Sequence, residues 1–197
     1  MASHRDWSFK VCVLVLALLG ARGASADLCV GCAVVWQDAP GYGIAGTLAN
    51  FDRFASALAA GDFNGDGYDD IAIADLESSI LPSMGAVHVL YSNFTGLSAF
   101  DAYWTDFNPG TGFSDEEESD DFGSALASGD FNGDGFDDLA IGIRYEDATI
   151  GPGTYTDCGA VLILYGSSLG LVEDNADKLF PGAPGDRFSA FFGSALA

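Results

Sequence analysis

The sequence predicts an all-β fold made of four-stranded antiparallel sheets that are arranged as the blades of a partial β-propeller. Three observations predict it: an acidic nine-residue string that occurs twice, strand-like segments that recur around each copy, and the lack of a long amphipathic helical period. DFNGDGYDD occupies 62–70 and DFNGDGFDD occupies 130–138, so the two copies differ at one aromatic position. Repeats of about four short strands at this spacing are typical of propeller blades.

Each acidic string lies inside a longer repeat with the same order of strand-like segments. The first segment is FASALAAGDF or FGSALASGDF, the second is DDIAIAD or DDLAIGI, and the third is GAVHVLY or GAVLILY. Short apolar runs between turns rich in Gly and Asp favour strands. Segments at 34–37, 102–105 and 179–180, the first two around Trp36 and Trp104, are predicted to form the fourth strand of successive units.

The spacing of the repeats predicts how the chain is divided. The acidic strings are 68 residues apart and the third segments are 74 residues apart, and the difference falls in the connection at 151–160. Insertions are tolerated in such connections. The string FGSALA at 192–197 begins a third copy. The predicted units are a signal peptide at 1–26, an N-terminal segment at 27–51 with the strand around Trp36, a first repeat at 52–120, a second repeat at 121–185 and the start of a third at 186–197.

Side chains that carry oxygen recur at every second position of the acidic string. His and Cys are absent from it, so the donors suit a hard cation. Three carboxylates, one amide and one backbone carbonyl fit Ca²⁺ better than Mg²⁺, which demands stricter octahedral geometry and retains water. Glycines at the fourth and sixth positions permit the positive φ values that fold a chain around an ion. The predicted ligands of two Ca²⁺ ions are Asp62, Asn64, Asp66, the Tyr68 carbonyl and Asp70 in the first loop, and Asp130, Asn132, Asp134, the Phe136 carbonyl and Asp138 in the second.

Two other interpretations of the string give different expectations. An EF-hand loop begins similarly, but it needs a bidentate Glu at position twelve and an exiting helix. Position twelve is Ile73 in the first copy and Ile141 in the second, and apolar strand-like residues surround both, so the EF-hand is excluded. A metal-free hairpin turn is the simpler alternative. Two near-identical copies in matching frames favour the metal.

The N-terminus has the features of a secretory signal peptide. Arg5 and Lys10 form its basic part, 11–19 is an apolar run, and 24–26 is a small-residue cleavage site. The apolar run is too short to cross a bilayer, which takes about 20 residues. The sequence therefore predicts a secreted, extracellular or cell-surface protein without a transmembrane segment.

The charge of the chain restricts its partners. It has 29 acidic and 7 basic residues, a net charge of −22. This charge disfavours nucleic acid and anionic membrane surfaces as partners, because binding to phosphate needs the opposite sign. Part of the charge belongs to the calcium loops. The acidic run at 115–118, with Asp120 and Asp121, is interpreted as a solvated loop, and a further cation site is the alternative.

The remaining candidate residues favour structural roles. Export favours a Cys29–Cys32 disulfide, and Cys158 is predicted to be a buried or lone thiol. His88 occupies the strand position that Leu162 holds in the second repeat, so a role in packing is favoured over catalysis. Trp104 is predicted to lie in a blade core or between blades. Since the well-patterned carboxylates are explained by calcium, the chain is not expected to be an enzyme.

These motifs resemble the FG-GAP repeat family, the calcium-binding blades of integrin α-subunit propellers. The resemblance extends over about 36–197 and rests on FG at 122–123 and 192–193, on the DxNxDGxxD loops and on the GAVxxLY strands. The chain departs from the family where FA stands for FG at 54–55, and where ADL and GIR replace the GAP tripeptide. The resemblance implies a seven-bladed propeller, of which this chain holds about two and a half units.

The resemblance also implies a function. A calcium-binding module for adhesion, or for binding a protein or carbohydrate ligand on the face opposite the calcium loops, is the expected one. The alternative is a non-catalytic propeller segment of a larger secreted hydrolase, similar to a phospholipase D that acts on glycosylphosphatidylinositol. Two blades alone would expose strand edges and an apolar face. A chain this short is therefore expected to be a fragment or to self-associate.

Overall fold

The structure, a computed structural model, describes residues 53–76, 85–105, 120–150, 153–181 and 191–197. Within these ranges the chain forms ten β-strands and no helix. The strands are β1 (Phe54–Gly61), β2 (Asp70–Asp75), β3 (Ala86–Asn93), β4 (Gly96–Trp104), β5 (Phe122–Gly129), β6 (Asp138–Ile143), β7 (Ala148–Ile150), β8 (Gly153–Tyr155), β9 (Ala160–Tyr165) and β10 (Val172–Leu179).

The first repeat is a four-stranded antiparallel sheet in the order β1-β2-β3-β4. All six residues of β2 are buried, which agrees with its short apolar run. In the centre of the sheet Ile73 pairs with His88. Successive strands therefore lie side by side, as expected for one propeller blade.

The second repeat has the same architecture. Its sheet runs β5-β6-β9-β10, and Ile141 pairs with Leu162 as Ile73 pairs with His88 in the first blade. The additional hairpin β7–β8 lies between β6 and β9. The predicted insertion at 151–160 falls on this hairpin. The two sheets confirm the all-β fold of partial propeller blades.

One hydrophobic core is shared by the two blades. Ala72, Val87 and Val89 of the first blade belong to the same buried cluster as Leu139 and Ile141 of the second. Trp104 is in this cluster and is 7% exposed, which confirms its predicted place in the core. Alternate residues of β2 and β3 face opposite sides of the sheet, so a separate small cluster of Ile71, Ile73 and Leu90 lies on the other face.

The start of each repeat packs tightly on the preceding blade. A Cβ atom added to Gly85 would collide with the carbonyl oxygen of Phe122, and one added to Gly159 would collide with that of Phe192. The backbone N–H of Phe192 donates a hydrogen bond to the carbonyl of Cys158, at 3.1 Å. The segment 191–197 therefore contacts the second blade where β5 contacts the first.

The fourth strands are longer than predicted. β4 begins at Gly96 rather than near 102, because the chain turns back at once through Phe94 and Thr95, with Asn93 paired to Gly96. Such two-residue hairpin loops are usually signalled by Asn-Gly or Asp-Gly, and Phe-Thr gives no such signal. β10 covers Val172–Leu179, so the segment predicted at 179–180 is only its end.

The prediction that 191–197 forms the first strand of a third repeat is wrong. Phe192 forms one isolated bridge to Gly159, and the residues after it form a turn and irregular chain. β1 and β5 are held by pairing with β2 and β6. The segment 191–197 has no corresponding partner strand among the described residues. Several predicted features lie outside the described residues: the signal peptide, Cys29, Cys32, Trp36 and the acidic run at 115–118. The interpretation as a solvated loop is wrong for Asp120, which is buried.

Candidate metal centre

The two acidic loops occupy equivalent places in the two blades. The first connects β1 to β2 and the second connects β5 to β6. Asp62 and Asp130 follow the first strand of their blades, and Asp70 and Asp138 are the first residues of the second strand. Each loop thus lies at the end of a hairpin, and its last predicted ligand is anchored in the sheet.

In the first loop, three predicted ligands fold around the same stretch of backbone. The N–H of Asp66 donates to Oδ1 of Asp62 at 3.0 Å and to Oδ1 of Asn64 at 2.9 Å. The N–H of Gly67 donates to Oδ2 of Asp62 at 2.8 Å, and that of Tyr68 donates to Oδ1 of Asp66 at 3.0 Å. These bonds hold side-chain oxygens of Asp62, Asn64 and Asp66 within one tight turn.

The second loop repeats this arrangement. The N–H of Asp134 donates to Oδ1 of Asp130 at 3.1 Å and to Oδ1 of Asn132 at 2.8 Å. The N–H of Gly135 donates to Oδ2 of Asp130 at 3.1 Å, and that of Phe136 donates to Oδ1 of Asp134 at 3.0 Å. The glycines at the fourth and sixth positions of both loops have positive φ, between 71° and 93°, as the sequence predicts.

The ninth residue of each loop is a fully buried carboxylate. Asp70 accepts the N–H of Phe63 at 3.1 Å and the N–H of Ser92 at 2.8 Å. Asp138 accepts the N–H of Phe131 at 2.8 Å and the N–H of Gly166 at 2.9 Å. Each carboxylate therefore connects the start of its own loop to the end of the third strand of its blade.

Burial also changes the acidity of Asp70. Loss of water raises the pKa of this carboxyl to about 7, although the N–H donors of Ser92 and Phe63 act to lower it. The neighbouring carboxylates of Asp66 and Asp62 raise the pKa further. A cation beside Asp70 would favour its ionised form, because an opposite charge offsets both burial and like-charge repulsion.

The residues present fit a calcium ion in donor type and number. Each loop brings Asp, Asn and Asp oxygens into one turn, and it holds a third carboxylate at the base of that turn. The described residues contain no group of three or more His, Cys, Asp or Glu side chains already gathered as a metal site. The assignment therefore rests on the donor chemistry and on the backbone of the loops. The Tyr68 and Phe136 carbonyls stay predicted ligands.

Sequence reasoning missed Asp137, the eighth residue of the second loop. Its Oδ2 accepts the backbone N–H of Asp62, in the other blade, at 2.9 Å. Its own N–H donates to the carbonyl of Asp62 at 3.2 Å. The contact joins two different repeats, so the pattern within one repeat does not reveal it. The Asp-Asp pair at the end of each string was the only sequence feature that pointed to a role for Asp137. The donors Ser92 and Gly166 were also missed, since a backbone N–H leaves no side-chain pattern.

Other candidate residues lie away from solvent. His88 is completely buried on β3, where the rings of Phe54 and Tyr103 lie with centroids 6.2 Å and 6.1 Å from its own. Cys158 is fully buried, as predicted. Both side chains are therefore shielded from solvent in the described structure.

Comparisons with known proteins find matches in both repeats of the chain. The FG-GAP repeat family model matches residues 54–90 and 122–164. The chain is 34% identical to phosphatidylinositol-glycan-specific phospholipase D of Mus musculus over 127 residues, which is 64% of this chain and 14% of the relative. It is 31% identical to integrin alpha-PS2 of Drosophila melanogaster over 176 residues, which is 82% of this chain and 11% of the relative.

The chain is thus much shorter than these relatives. It spans 14% of the length of the mouse phospholipase D and 11% of the length of the integrin. The similarity therefore concerns the repeat region. In the part of the chain that the structure describes, no helix has the length and apolar character that a membrane crossing requires.

Proposed function

Because the chain belongs to the FG-GAP repeat family, we propose that it is a calcium-binding propeller module of a secreted or cell-surface protein, used for adhesion or for binding a protein or carbohydrate ligand. The observation that carries the proposal is the acidic loop that occurs twice with one set of backbone hydrogen bonds. Asp62, Asn64, Asp66, Asp70 and the Tyr68 carbonyl would hold one Ca²⁺. Their counterparts, Asp130, Asn132, Asp134, Asp138 and the Phe136 carbonyl, would hold the second.

Calcium would have a structural role in this proposal. Each loop carries three predicted ligand carboxylates within nine residues, and like charges at short range disfavour joint ionisation. A bound Ca²⁺ would neutralise part of that charge and fix the hairpin that joins the first two strands of the blade. The ion would thereby stabilise the propeller that presents a ligand-binding face elsewhere.

Calcium titration tests the metal assignment directly. We expect calorimetry of the purified chain to show two Ca²⁺ sites, with Mg²⁺ bound more weakly, because the loops offer flexible oxygen donors. Asp66→Ala and Asp134→Ala should each remove one site. Asp157→Asn is the matched control, since it removes one exposed negative charge outside both loops, at a positive φ that Asn tolerates.

Two outcomes would contradict the assignment. Tighter binding of Mg²⁺ than of Ca²⁺ would show that the loops select a different ion. Two remaining calcium sites in both Asp66→Ala and Asp134→Ala would show that the ions bind outside the loops.

The similarity to phosphatidylinositol-glycan-specific phospholipase D supports a second candidate function. On this proposal the chain is a non-catalytic propeller segment of a larger secreted hydrolase. The buried His88 argues against catalysis by the repeats themselves. The purified chain should therefore not hydrolyse a phosphatidylinositol-glycan substrate. Identifying the full protein from its native source decides between the two: a catalytic domain on the same polypeptide supports the hydrolase, and further repeats alone support the adhesion module.

A further inference from the structure

Asp137 connects the two metal loops without being a predicted ligand. Its Oδ2 accepts the backbone N–H of Asp62 at 2.9 Å, and its own N–H donates to the carbonyl of Asp62 at 3.2 Å. Both peptide groups of Asp62 are thus held by one residue of the neighbouring blade. Asp62 is itself the first predicted ligand of its loop.

A second contact runs beside the first. The N–H of Ser167 donates to the carbonyl of Phe63 at 3.2 Å, next to Asp62 in the chain. The preceding N–H, that of Gly166, donates to Asp138 at 2.9 Å. The backbone at the start of the first loop is therefore hydrogen-bonded to Asp137 and Ser167. These two residues lie next to Asp138, the last predicted ligand of the second loop, and next to Gly166, which donates to it.

The approach of the two loops is close enough to restrict the side chains between them. A Cβ atom added to Gly61 would lie 3.0 Å from both Cβ and Oδ2 of Asp137. That separation is shorter than van der Waals contact, so a side chain at this position would displace Asp137. Gly61 thus allows the carboxylate to reach the N–H of Asp62.

We propose that Asp137 is a positioning residue that couples the two calcium loops across the blade interface, so that calcium binding by the first loop depends on the second blade. This inference rests on the proposed function. A hydrogen bond from a backbone N–H to a carboxylate is stronger than a neutral one, and this bond fixes the peptide that orients the Asp62 side chain. Asp137 would act on a bound ion through Asp62 and is not one of the predicted ligands.

Asp69 provides a matched control within the same chain. It is the eighth residue of the first loop, with the same charge and the same place beside the ninth ligand. Its carbonyl accepts the hydroxyl of Ser92 at 2.8 Å, and its carboxylate has no hydrogen bond within the described residues. Loss of Asp69 and loss of Asp137 therefore remove the same charge, but only the second removes the contact between blades.

The test measures the calcium affinity of the first loop alone. In the Asp134→Ala chain, whose second loop is disabled, Asp137→Ala should weaken calcium binding about tenfold, which is 1.4 kcal/mol. Asp69→Ala should weaken it less than about threefold, as expected for the loss of one nearby charge in water. Asp137→Asn keeps a carbonyl acceptor and should restore most of the affinity. If Asp137 contributed only to folding, Asp137→Ala would lower the melting temperature, but its calcium affinity would not differ from that of Asp69→Ala.

The outcomes separate this inference from the proposed function. An unsubstituted chain that binds no calcium would refute the proposed function. A chain that binds calcium, but in which Asp137→Ala and Asp69→Ala weaken binding equally, would overturn the coupling alone. Should Asp134→Ala fail to fold, two-site titration of Asp137→Ala and Asp69→Ala in the otherwise unchanged chain replaces it: two weakened sites in Asp137→Ala against one in Asp69→Ala support the coupling, and one weakened site in each variant overturns it.

Discussion

Phe63→Ala is expected to lower the free energy of unfolding by about 3–5 kcal/mol, the usual cost of removing a fully buried Phe side chain. Phe63 is 0% exposed and belongs to the core that the two blades share. The chain at Ser167 crosses over its backbone, where the N–H of Ser167 donates to the carbonyl of Phe63. Truncation would leave a cavity between the blades, and neighbouring atoms could fill it only in part.

Phe131 is the matched control for this substitution. It has the same position in the second loop, but it is 50% exposed. Phe131→Ala should therefore cost about 1 kcal/mol, because roughly half the apolar area is buried and no closed cavity forms. Urea unfolding of both variants in one buffer measures the difference. Equal losses in the two variants would contradict the described packing of the blades.

The sequence predicted those features that depend on neighbouring residues in the chain. The strands beside each loop were recognisable because short apolar runs lie between Gly- and Asp-rich turns. The ligand candidates were recognisable because their oxygens recur at every second position. Both patterns involve residues that are close together in the sequence, so they can be recognised without knowing how the blades pack.

The features that the sequence did not predict depend on contacts between repeats or on the backbone. Phe63 and Phe131 are the same residue in the same motif, yet the neighbouring blade covers only Phe63. Asp69 and Asp137 differ in the same way, since only Asp137 reaches across to another loop. The repeat pattern is the same in both copies, so it does not indicate which copy of a residue is covered by the neighbouring blade. The early start of β4 was missed for another reason: Phe94 and Thr95 form a tight turn without the residues that usually signal one.

Removal of calcium should lower the melting temperature of the chain clearly. A ligand that binds only the folded state stabilises it by about 2.7 kcal/mol per site at a hundredfold excess over its dissociation constant. Two independent sites would contribute about twice that amount. The charges of Asp66 and Asp62 help to raise the pKa of Asp70 in the folded chain. Removal of the ions would therefore leave repulsion among these carboxylates that is weaker in the extended chain.

Thermal melts in calcium and in excess EDTA measure this effect, with metal removal checked by elemental analysis. Asp66→Ala should lose about half of the stabilisation by calcium, and the double variant Asp66→Ala with Asp134→Ala should show none, since each loop binds one ion. The double variant is also the control for effects of EDTA unrelated to the loops. A melting temperature that stays the same after confirmed removal of the metal would mean that hydrogen bonds from Gly67, Tyr68 and their counterparts suffice to hold the loops. In that case calcium would have no structural role, because an ion that binds the folded state alone must raise its stability.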